Sequence, residues 1–318
     1  MGGEPLPSEH REHGRINGVS KPKGELQAAA GSLWRVEIVA FTDEYELAAS
    51  VYDMAAAELR ARDERQGQPL QRWLAVRDGE AVAAVSTWRR PDDRTFLYFV
   101  GPDRAAHSLL TDAVVDALGR PVHTFVDAED GDLLEALRSA GFEVEVVEER
   151  FRIRFDRVLA WLRRAWVPSG FSIHPADTVD EDRLFILDNT IRQDTVGTDG
   201  WRGDRDWFHD ELTESPPFDP SAYLVAIDDR TGDYVGLVRI WRNQTGPRFG
   251  LIGVLPEFRT TTIAGALLRQ ALLAASQWGH ETLTAETSPS NPTIYRRMGR
   301  LDAESLGRFH QMVRHPSS

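Results

Sequence analysis

The order of apolar and polar positions along the chain predicts an α/β protein. Two stretches, 72–88 and 222–241, each have two β-rich runs around a short turn, which predicts a β-hairpin in each. The second hairpin is followed by an apolar run at 248–255, an amphipathic stretch from Ile263 to about Trp278, a β-rich run at 282–287 and a short helical stretch near Tyr295. A hairpin followed by strand, helix, strand and helix predicts a mixed sheet with helices on its faces.

The chain also repeats itself. The first hairpin resembles the second, and a later stretch, 136–151, resembles 294–309. In each copy of the later stretch a glycine, Gly141 or Gly299, ends a short helix as a C-cap would. A phenylalanine follows each glycine by ten residues. Equal spacing in two long units predicts two homologous domains.

We therefore expect two tandem α/β domains at residues 33–156 and 171–318. Residues 1–32, rich in Gly, Pro and charged residues, are expected to form a disordered tail. Between the domains, Val158, Leu159, Leu162 and Trp166 fall at helical spacing, which predicts a linker helix at 157–170 that ends near Pro168.

Composition narrows the classes of protein to which the chain can belong. The formal net charge is −13, whereas binding to nucleic acid or to an anionic membrane needs clustered Lys and Arg. There is no cysteine, and the nine histidines lack ligand-like spacing, so we expect neither disulfides nor a metal site. No apolar run reaches the ~18 residues of a membrane span, and the N-terminus lacks the apolar core of a signal peptide. We expect a cytoplasmic monomer or homodimer.

A small turn of three threonines lies between the apolar run and the helix that starts near Thr262. Helix N-termini carry unpaired N–H groups and partial positive charge, so they bind phosphate groups well. Arg259 stands at the mouth of the turn, where its guanidinium can add a charge-assisted contact. The turn therefore predicts a phosphate-binding site.

The order strand, V-x-P, R-x-x-x-I-A and helix resembles the GNAT acyltransferase superfamily. The coenzyme A loop of that family reads (Q/R)-x-x-G-x-(G/A), and here Thr262 replaces the middle glycine. The resemblance implies two tandem GNAT-like domains, each a mixed twisted sheet flanked by helices, and acetyl-CoA as co-substrate. The residues implied to bind it here are Ile252, Gly253, Val254, Arg259, Thr260, Thr261, Thr262, Ile263, Ala264 and Gly265.

A second family feature lies downstream, where an asparagine precedes a helix with a tyrosine four residues before Gly-Phe. Here the corresponding residues are Asn291, Tyr295 and Gly299, with Arg300 in place of Phe. Asn291 is about one helical turn closer to the tyrosine than is usual. The resemblance implies that Asn291 binds coenzyme A and that Tyr295 protonates the leaving thiolate as a general acid.

The base and the acceptor pocket are less marked in the sequence. The apolar run before V-x-P has no carboxylate, so Glu286 on the next strand is the first candidate for the base. Other candidates lie in an acidic, aromatic segment, 197–220, which we expect to line the acceptor pocket. Carboxylates and aromatics suit a cationic amine. The candidates for acceptor binding there are Trp201, Asp206, Trp207 and Asp210. Asp206, His209 and Asp210 are further candidates for the base.

The first half lacks the phosphate turn and the tyrosine of the second. From Trp88 to the apolar pair Leu109-Leu110 it is five residues shorter than the corresponding stretch after Trp241, and the deficit falls at the phosphate turn. Leu137 stands at the tyrosine position. We expect a degenerate first domain that binds no coenzyme A and supports the second.

The function expected is N-acetyl transfer from acetyl-CoA to a primary amine. The tandem plan is similar to that of mycothiol synthase, so a thiol-precursor amine is one acceptor class. A polyamine or aminoglycoside and a protein amine are others, and a longer acyl donor stays open. The alternative is a weakened or inactive GNAT-fold protein that acts as a coenzyme A-binding or regulatory module.

Overall fold

The computed structural model describes residues 36–65, 71–196, 198, 200–213 and 217–316. The expected tail, 1–32, lies outside them. The strands of the first half are β1 (Glu37–Ala40), β2 (Arg72–Arg77), β3 (Glu80–Arg89), β4 (Thr95–Val100), β5 (Val122–Asp127) and β6 (Glu143–Arg154). Its helices are α1 (Tyr45–Tyr52), α2 (Ala56–Arg65), α3 (Arg104–Leu118), α4 (Gly131–Ser139) and α5 (Phe155–Trp161).

The second half repeats the order of the elements β1 to β6, which confirms the tandem plan. Its strands are β7 (Phe171–Pro175), β8 (Tyr223–Asp228), β9 (Tyr234–Asn243), β10 (Gly246–Val254), β11 (Thr282–Thr287) and β12 (Glu304–Arg314). Its helices are α6 (Glu181–Arg192), α7 (Arg205–Thr213), α8 (Ile263–Ala275) and α9 (Pro292–Arg300). Among the described residues, no helix has both the length and the apolar character that crossing a membrane requires.

The two halves share one sheet and exchange their last strands. The strand order is β1-β2-β3-β4-β5-β12-β6-β11-β10-β9-β8-β7. Strand β6, from the first half, pairs with β11 of the second, while β12 pairs with β5 of the first. The two exchanged strands also pair with each other. The sheet is mixed as expected, because β4 with β5 and β10 with β11 are the parallel pairs.

Helices cover the sheet on both faces. On the face that we call the back, α5, α8 and α9 pack on the second half through a cluster that includes Val158, Leu267 and Met298. On the opposite, front face, α6 and α7 pack through Leu187 and Phe208. Side chains alternate between the faces along each strand, so β8, β9 and β10 contribute to both cores.

Two local predictions are wrong. The linker helix, predicted at 157–170, ends at Trp161. Residues 163–168 leave the helix and cross the start of α8, and Trp166 is 63% exposed. Gly299 is not a C-cap, because α9 continues through it to Arg300. The left-handed residue after α9 is Asp302, with φ 55°, whereas Gly141, with φ 80°, does follow α4.

The exchange makes the stability of the second half depend on a strand of the first. Phe151 on β6 is 6% exposed and belongs to the core around α8 and α9. We expect Phe151→Ala to lower the free energy of unfolding by about 3–5 kcal/mol, through lost burial and the cavity left behind. Val144→Ala, on the same strand at a site 40% exposed, should cost less than about 1 kcal/mol. Urea unfolding checks both, and equal costs would contradict the prediction.

Candidate functional site

The site begins where β10 and β11 part. These parallel strands pair only at Arg248 with Thr284, near their starts, and the residues that follow are not paired with each other. A register shift at Gly250 adds to the irregularity of β10. On the side of β11, the backbone of β10 that leads to Val254 therefore has N–H and C=O groups that are not paired with that strand. Because buried or half-buried groups of this kind need partners, this edge can form hydrogen bonds with a ligand.

Gly253 lies on this free edge for a steric reason. A Cβ atom at Gly253 would lie 2.3 Å from Cγ2 of Ile191, which α6 holds against the strand from the front face. Glycine thus lets α6 pack directly on the end of β10. Helix packing thus accounts for the glycine at this position.

The N-terminus of α8 has unpaired backbone donors. Thr262, its N-cap residue, makes no side-chain cap hydrogen bond. The Ile263 N–H donates to Oγ1 of Thr261 at 3.3 Å, and the Ala266 N–H donates to the Thr262 carbonyl at 2.9 Å. Within the described residues the N–H groups of Ala264 and Gly265 have no acceptor. Free donors and the positive end of the helix dipole together favour an anion.

Thr262 does not strain the loop although it replaces the family's glycine. Its φ is −86°, which any residue adopts. Its hydroxyl donates to the Trp166 carbonyl at 3.1 Å, and a Cβ atom at Gly265 would lie 3.1 Å from that of Ala165. The segment 163–168 thus lies against the start of α8, and Thr262 attaches it there.

Arg259 lies beside the same loop. Its guanidinium is half-exposed and pairs with Oδ2 of Asp194, just after α6, at 2.5 Å. Its Nε lies 3.5 Å from the Val254 carbonyl. Asp194 was not singled out from the sequence, because a lone aspartate in a polar stretch carries no signal.

The corresponding helix of the first half has a different end. Asp103 caps α3, its side chain accepting from the Ala106 N–H at 3.3 Å, and it also forms an ion pair with Arg77. A carboxylate therefore lies at α3 where α8 has free donors. Its negative charge opposes binding of an anion there.

Tyr295 points toward the exchanged strands. Its hydroxyl donates to Oε2 of Glu149 on β6 at 2.6 Å, and Nη2 of Arg308 on β12 donates to it at 3.3 Å. The ring also meets the Phe151 ring edge-on, with centroids 5.8 Å apart. Asn291 caps α9, its Oδ1 accepting from the Ile294 N–H at 3.3 Å.

Glu286 lies on the other face of the sheet. Leu283 and Ala285 on β11 are in the back-face core, so alternation turns Glu286 to the front. Its Oε1 accepts from Arg150 at 2.8 Å from Nε and 2.5 Å from Nη2. Tyr295 and Glu286 therefore lie on opposite faces of the sheet. Neighbouring residues of β6 bind them, Glu149 the tyrosine and Arg150 the glutamate.

The predicted acceptor residues lie in different surroundings. Trp201 is buried, with the guanidinium of Arg192 at 4.5 Å from its ring and that of Arg90 at 5.4 Å. Arg90 belongs to the first half. Asp206 and Asp210 are exposed on α7, while Trp207 is half-buried. The exposed His209 lies 3.1 Å from a carboxylate oxygen of Glu181.

Sequence reasoning missed a buried polar cluster under α6 and α7. Glu211 pairs with Arg239 at 2.5 Å, and Asp188 pairs with Arg192 at 2.5 Å. Burial raises the pKa of Glu211, against the nearby guanidinium of Arg239. Burial also raises the pKa of Tyr223 well above its usual range. The sequence signal for this cluster was the three-residue spacing of Phe208 and Glu211, which places both on one face of a helix. The many charged residues around them made that face hard to recognise.

Replacing Thr262 tests its hold on residues 163–168. Thr262→Val keeps the branched shape and removes the donor to Trp166, so we expect a loss of about 0.5–1.5 kcal/mol in the free energy of unfolding. Thr260→Val, at an exposed neighbour in the same loop, should change it by less than about 0.5 kcal/mol. Urea titrations measure both values, and a cost at Thr260 as large as at Thr262 would argue against the contact.

Comparison with known proteins finds a family match for part of the second half. Residues 208–311 match the model of the acetyltransferase (GNAT) domain. No curated protein sequence matches the chain.

Solved structures share the fold of nearly the whole chain. A GCN5-related N-acetyltransferase from Sphaerobacter thermophilus is 17% identical with a TM-score of 0.63, over 89% of this chain and 96% of that one. A tandem GNAT protein from the clavulanic acid biosynthesis pathway is 15% identical with a TM-score of 0.61, over 89% and 99%. A GCN5-related N-acetyltransferase from Kribbella flavida is 17% identical with a TM-score of 0.56, over 88% and 71%.

Proposed function

Because this chain has a tandem GNAT fold whose second half carries a GNAT acetyltransferase domain, we propose that it moves an acetyl group from acetyl-CoA to a primary amine of a small molecule. The fold implies transfer of an acyl group from an acyl-CoA to an amine. The proposal adds the acetyl donor, the residues that bind it and direct attack in a ternary complex.

One observation carries the proposal. The uncapped start of α8 follows directly after β10, the strand whose end has parted from β11. The free N–H groups at Ala264 and Gly265 suit a pyrophosphate, and the parted strand edge at 252–254 suits the amide groups of a pantetheine arm. A single ligand with both groups, such as a coenzyme A thioester, fits this arrangement.

The chemistry follows from the same geometry. The amine nitrogen attacks the thioester carbonyl, the carbon–sulfur bond breaks, and the electron pair leaves on sulfur. Backbone N–H groups at the parted strand end can stabilise the developing oxyanion. Tyr295 supplies a proton to the thiolate, and the amine loses its own proton to a base, for which Glu286 remains our candidate. Holding both substrates in place provides much of the acceleration.

The acceptor enters from the front face. Glu286 faces that side, and the carboxylates of Asp206 and Asp210 are exposed there on α7. Because carboxylates favour a cation, we propose an acceptor that carries at least one further positive charge. A polyamine and an aminoglycoside are the first compounds to screen.

Calorimetric titration with acetyl-CoA tests the binding step. We expect saturable binding to the wild-type protein, and about tenfold weaker binding by Arg259→Ala, because a guanidinium beside the phosphate loop is lost. Arg104→Ala is the matched control. It removes the same charge from the start of α3, the equivalent helix in the first half, and should leave the dissociation constant unchanged.

Three outcomes separate the possibilities. Binding followed by acetylation of an amine supports the proposal. Binding without turnover of any amine would favour the alternative of a coenzyme A-binding module, an alternative that the engagement of Tyr295 and Glu286 by β6 also fits. No binding at millimolar acetyl-CoA, or tighter binding of a longer acyl-CoA, would contradict the proposed donor.

A further inference from the structure

A phenol, a carboxylate and a guanidinium meet where the two halves exchange strands. The Tyr295 hydroxyl lies 2.6 Å from Oε2 of Glu149, and Nε of Arg308 lies 2.9 Å from the same oxygen. Nη2 of Arg308 lies 3.3 Å from the Tyr295 oxygen. The three groups thus contact one another pairwise. They come from α9, β6 and β12, so the cluster exists only because the last strands are exchanged.

Glu149 is the buried member of the cluster. It is 6% exposed, and it lies directly opposite Arg308 in the pairing of β6 with β12. Burial would raise its pKa, but hydrogen bonds from Tyr295, Ser305 and Arg308 outweigh burial and hold that pKa below its usual range. Hydrogen bonds to Glu149 and Tyr295 raise the pKa of Arg308. At neutral pH an anionic carboxylate and a cationic guanidinium therefore lie beside the phenol.

We propose that Glu149 and Arg308 are positioning residues for Tyr295, through which the first half of the chain completes the catalytic site of the second. The inference rests on the proposed function. Glu149 accepts the phenol's hydrogen bond and fixes the direction of the ring. Arg308 donates to the phenol oxygen and stabilises the phenolate that forms when the proton leaves.

Every proton that moves in this step has a donor and an acceptor. When the carbon–sulfur bond breaks, the thiolate takes the phenol proton, the O–H bond of Tyr295 breaks, and a thiol and a phenolate result. A thiolate, with a conjugate-acid pKa of ~8.5, is a stronger base than a carboxylate at ~4.3, so it competes successfully with Glu149 for the proton. The proton lost by the attacking amine then returns to the phenolate through solvent or a base.

The charges explain why both residues are needed. A phenolate beside Glu149 alone would be destabilised by like charge. Arg308, close to both oxygens, offsets that repulsion during the step in which the phenolate exists. Removing Glu149 should free the ring and weaken the hold on Arg308, while removing Arg308 should make the phenolate harder to form.

The test combines turnover with titration of the phenol. We expect Glu149→Gln to lower kcat about 10- to 100-fold, with the acetyl-CoA dissociation constant within about twofold of wild type. The alkaline limb of the kcat–pH profile should shift. In a Tyr295→Phe background the same change should have no further effect on kcat, because positioning residues act through the tyrosine. Glu149→Asp should restore part of the rate.

A matched pair on the same strands provides the control. Arg152 and Glu304 lie opposite each other on β6 and β12, 2.9 Å apart and exposed. Glu304→Gln removes an ion pair between the same two strands and should change neither kcat nor the pH profile. If Glu304→Gln and Glu149→Gln lower kcat equally, strand pairing explains the loss and the inference is wrong.

A readout independent of turnover separates this inference from the proposed function. The near-ultraviolet absorbance of phenolate, taken as the difference between wild type and Tyr295→Phe, gives the pKa of Tyr295. Glu149→Gln should lower that pKa and Arg308→Gln should raise it. Unmoved titrations would overturn the inference even if amines are acetylated. If the substitutions shift the pKa of Tyr295 but no amine is acetylated, the contacts within the cluster are supported. Its catalytic role and the proposed function would then both be overturned.

Discussion

The pairing of β6 with β11 is the interaction on which the rest of the structure depends. It places a strand of the first half beside the parted strands of the second, and β12 makes the reciprocal contact with β5. Strand β6 thus covers the edge of β11, and open edges invite pairing with other chains. The exchange joins the strands of the two halves into one continuous sheet.

The same pairing brings charges into the centre of the sheet, where each must have a partner. Glu149 and Arg150 point to opposite faces of β6, and each meets a group of the second half, the Tyr295 hydroxyl on the back and the Glu286 carboxylate on the front. Charged groups out of water are costly unless they are paired and hydrogen-bonded. The two halves are thus held in one register by polar contacts as well as by the apolar core. The first half, whose helix α3 is capped by the Asp103 carboxylate, thus contributes a residue beside the candidate site of the second.

Much of this architecture could be predicted from the sequence. The hairpin turn at Asp78-Gly79 has positive φ at both residues, as its composition indicates. Helix α8 begins at Ile263 as expected, since Ile263, Leu267 and Ala271 form one apolar face. The α/β fold of two tandem GNAT-like domains is confirmed. The roles of the individual site residues remain predictions.

The exchange itself could not be predicted. The two halves are similar, so β6 and β12 each fit either position beside β5 or β11, and no local pattern selects between them. The acceptor of the Tyr295 hydroxyl, Glu149, therefore lies in the other half of the chain. Helix α7 was missed as an element because Glu211, a buried charge, interrupts the apolar face that would have marked it.

Hydrogen exchange of the full chain, with and without acetyl-CoA, tests the central claim most directly. A site in the second half, completed by a strand of the first, predicts slower exchange at residues 252–265 and at 147–152 of β6 together. Residues 101–106, which lead into α3, should not change, because the Asp103 carboxylate caps that helix. Protection at 101–106, or protection at 252–265 that leaves β6 untouched, would contradict the account.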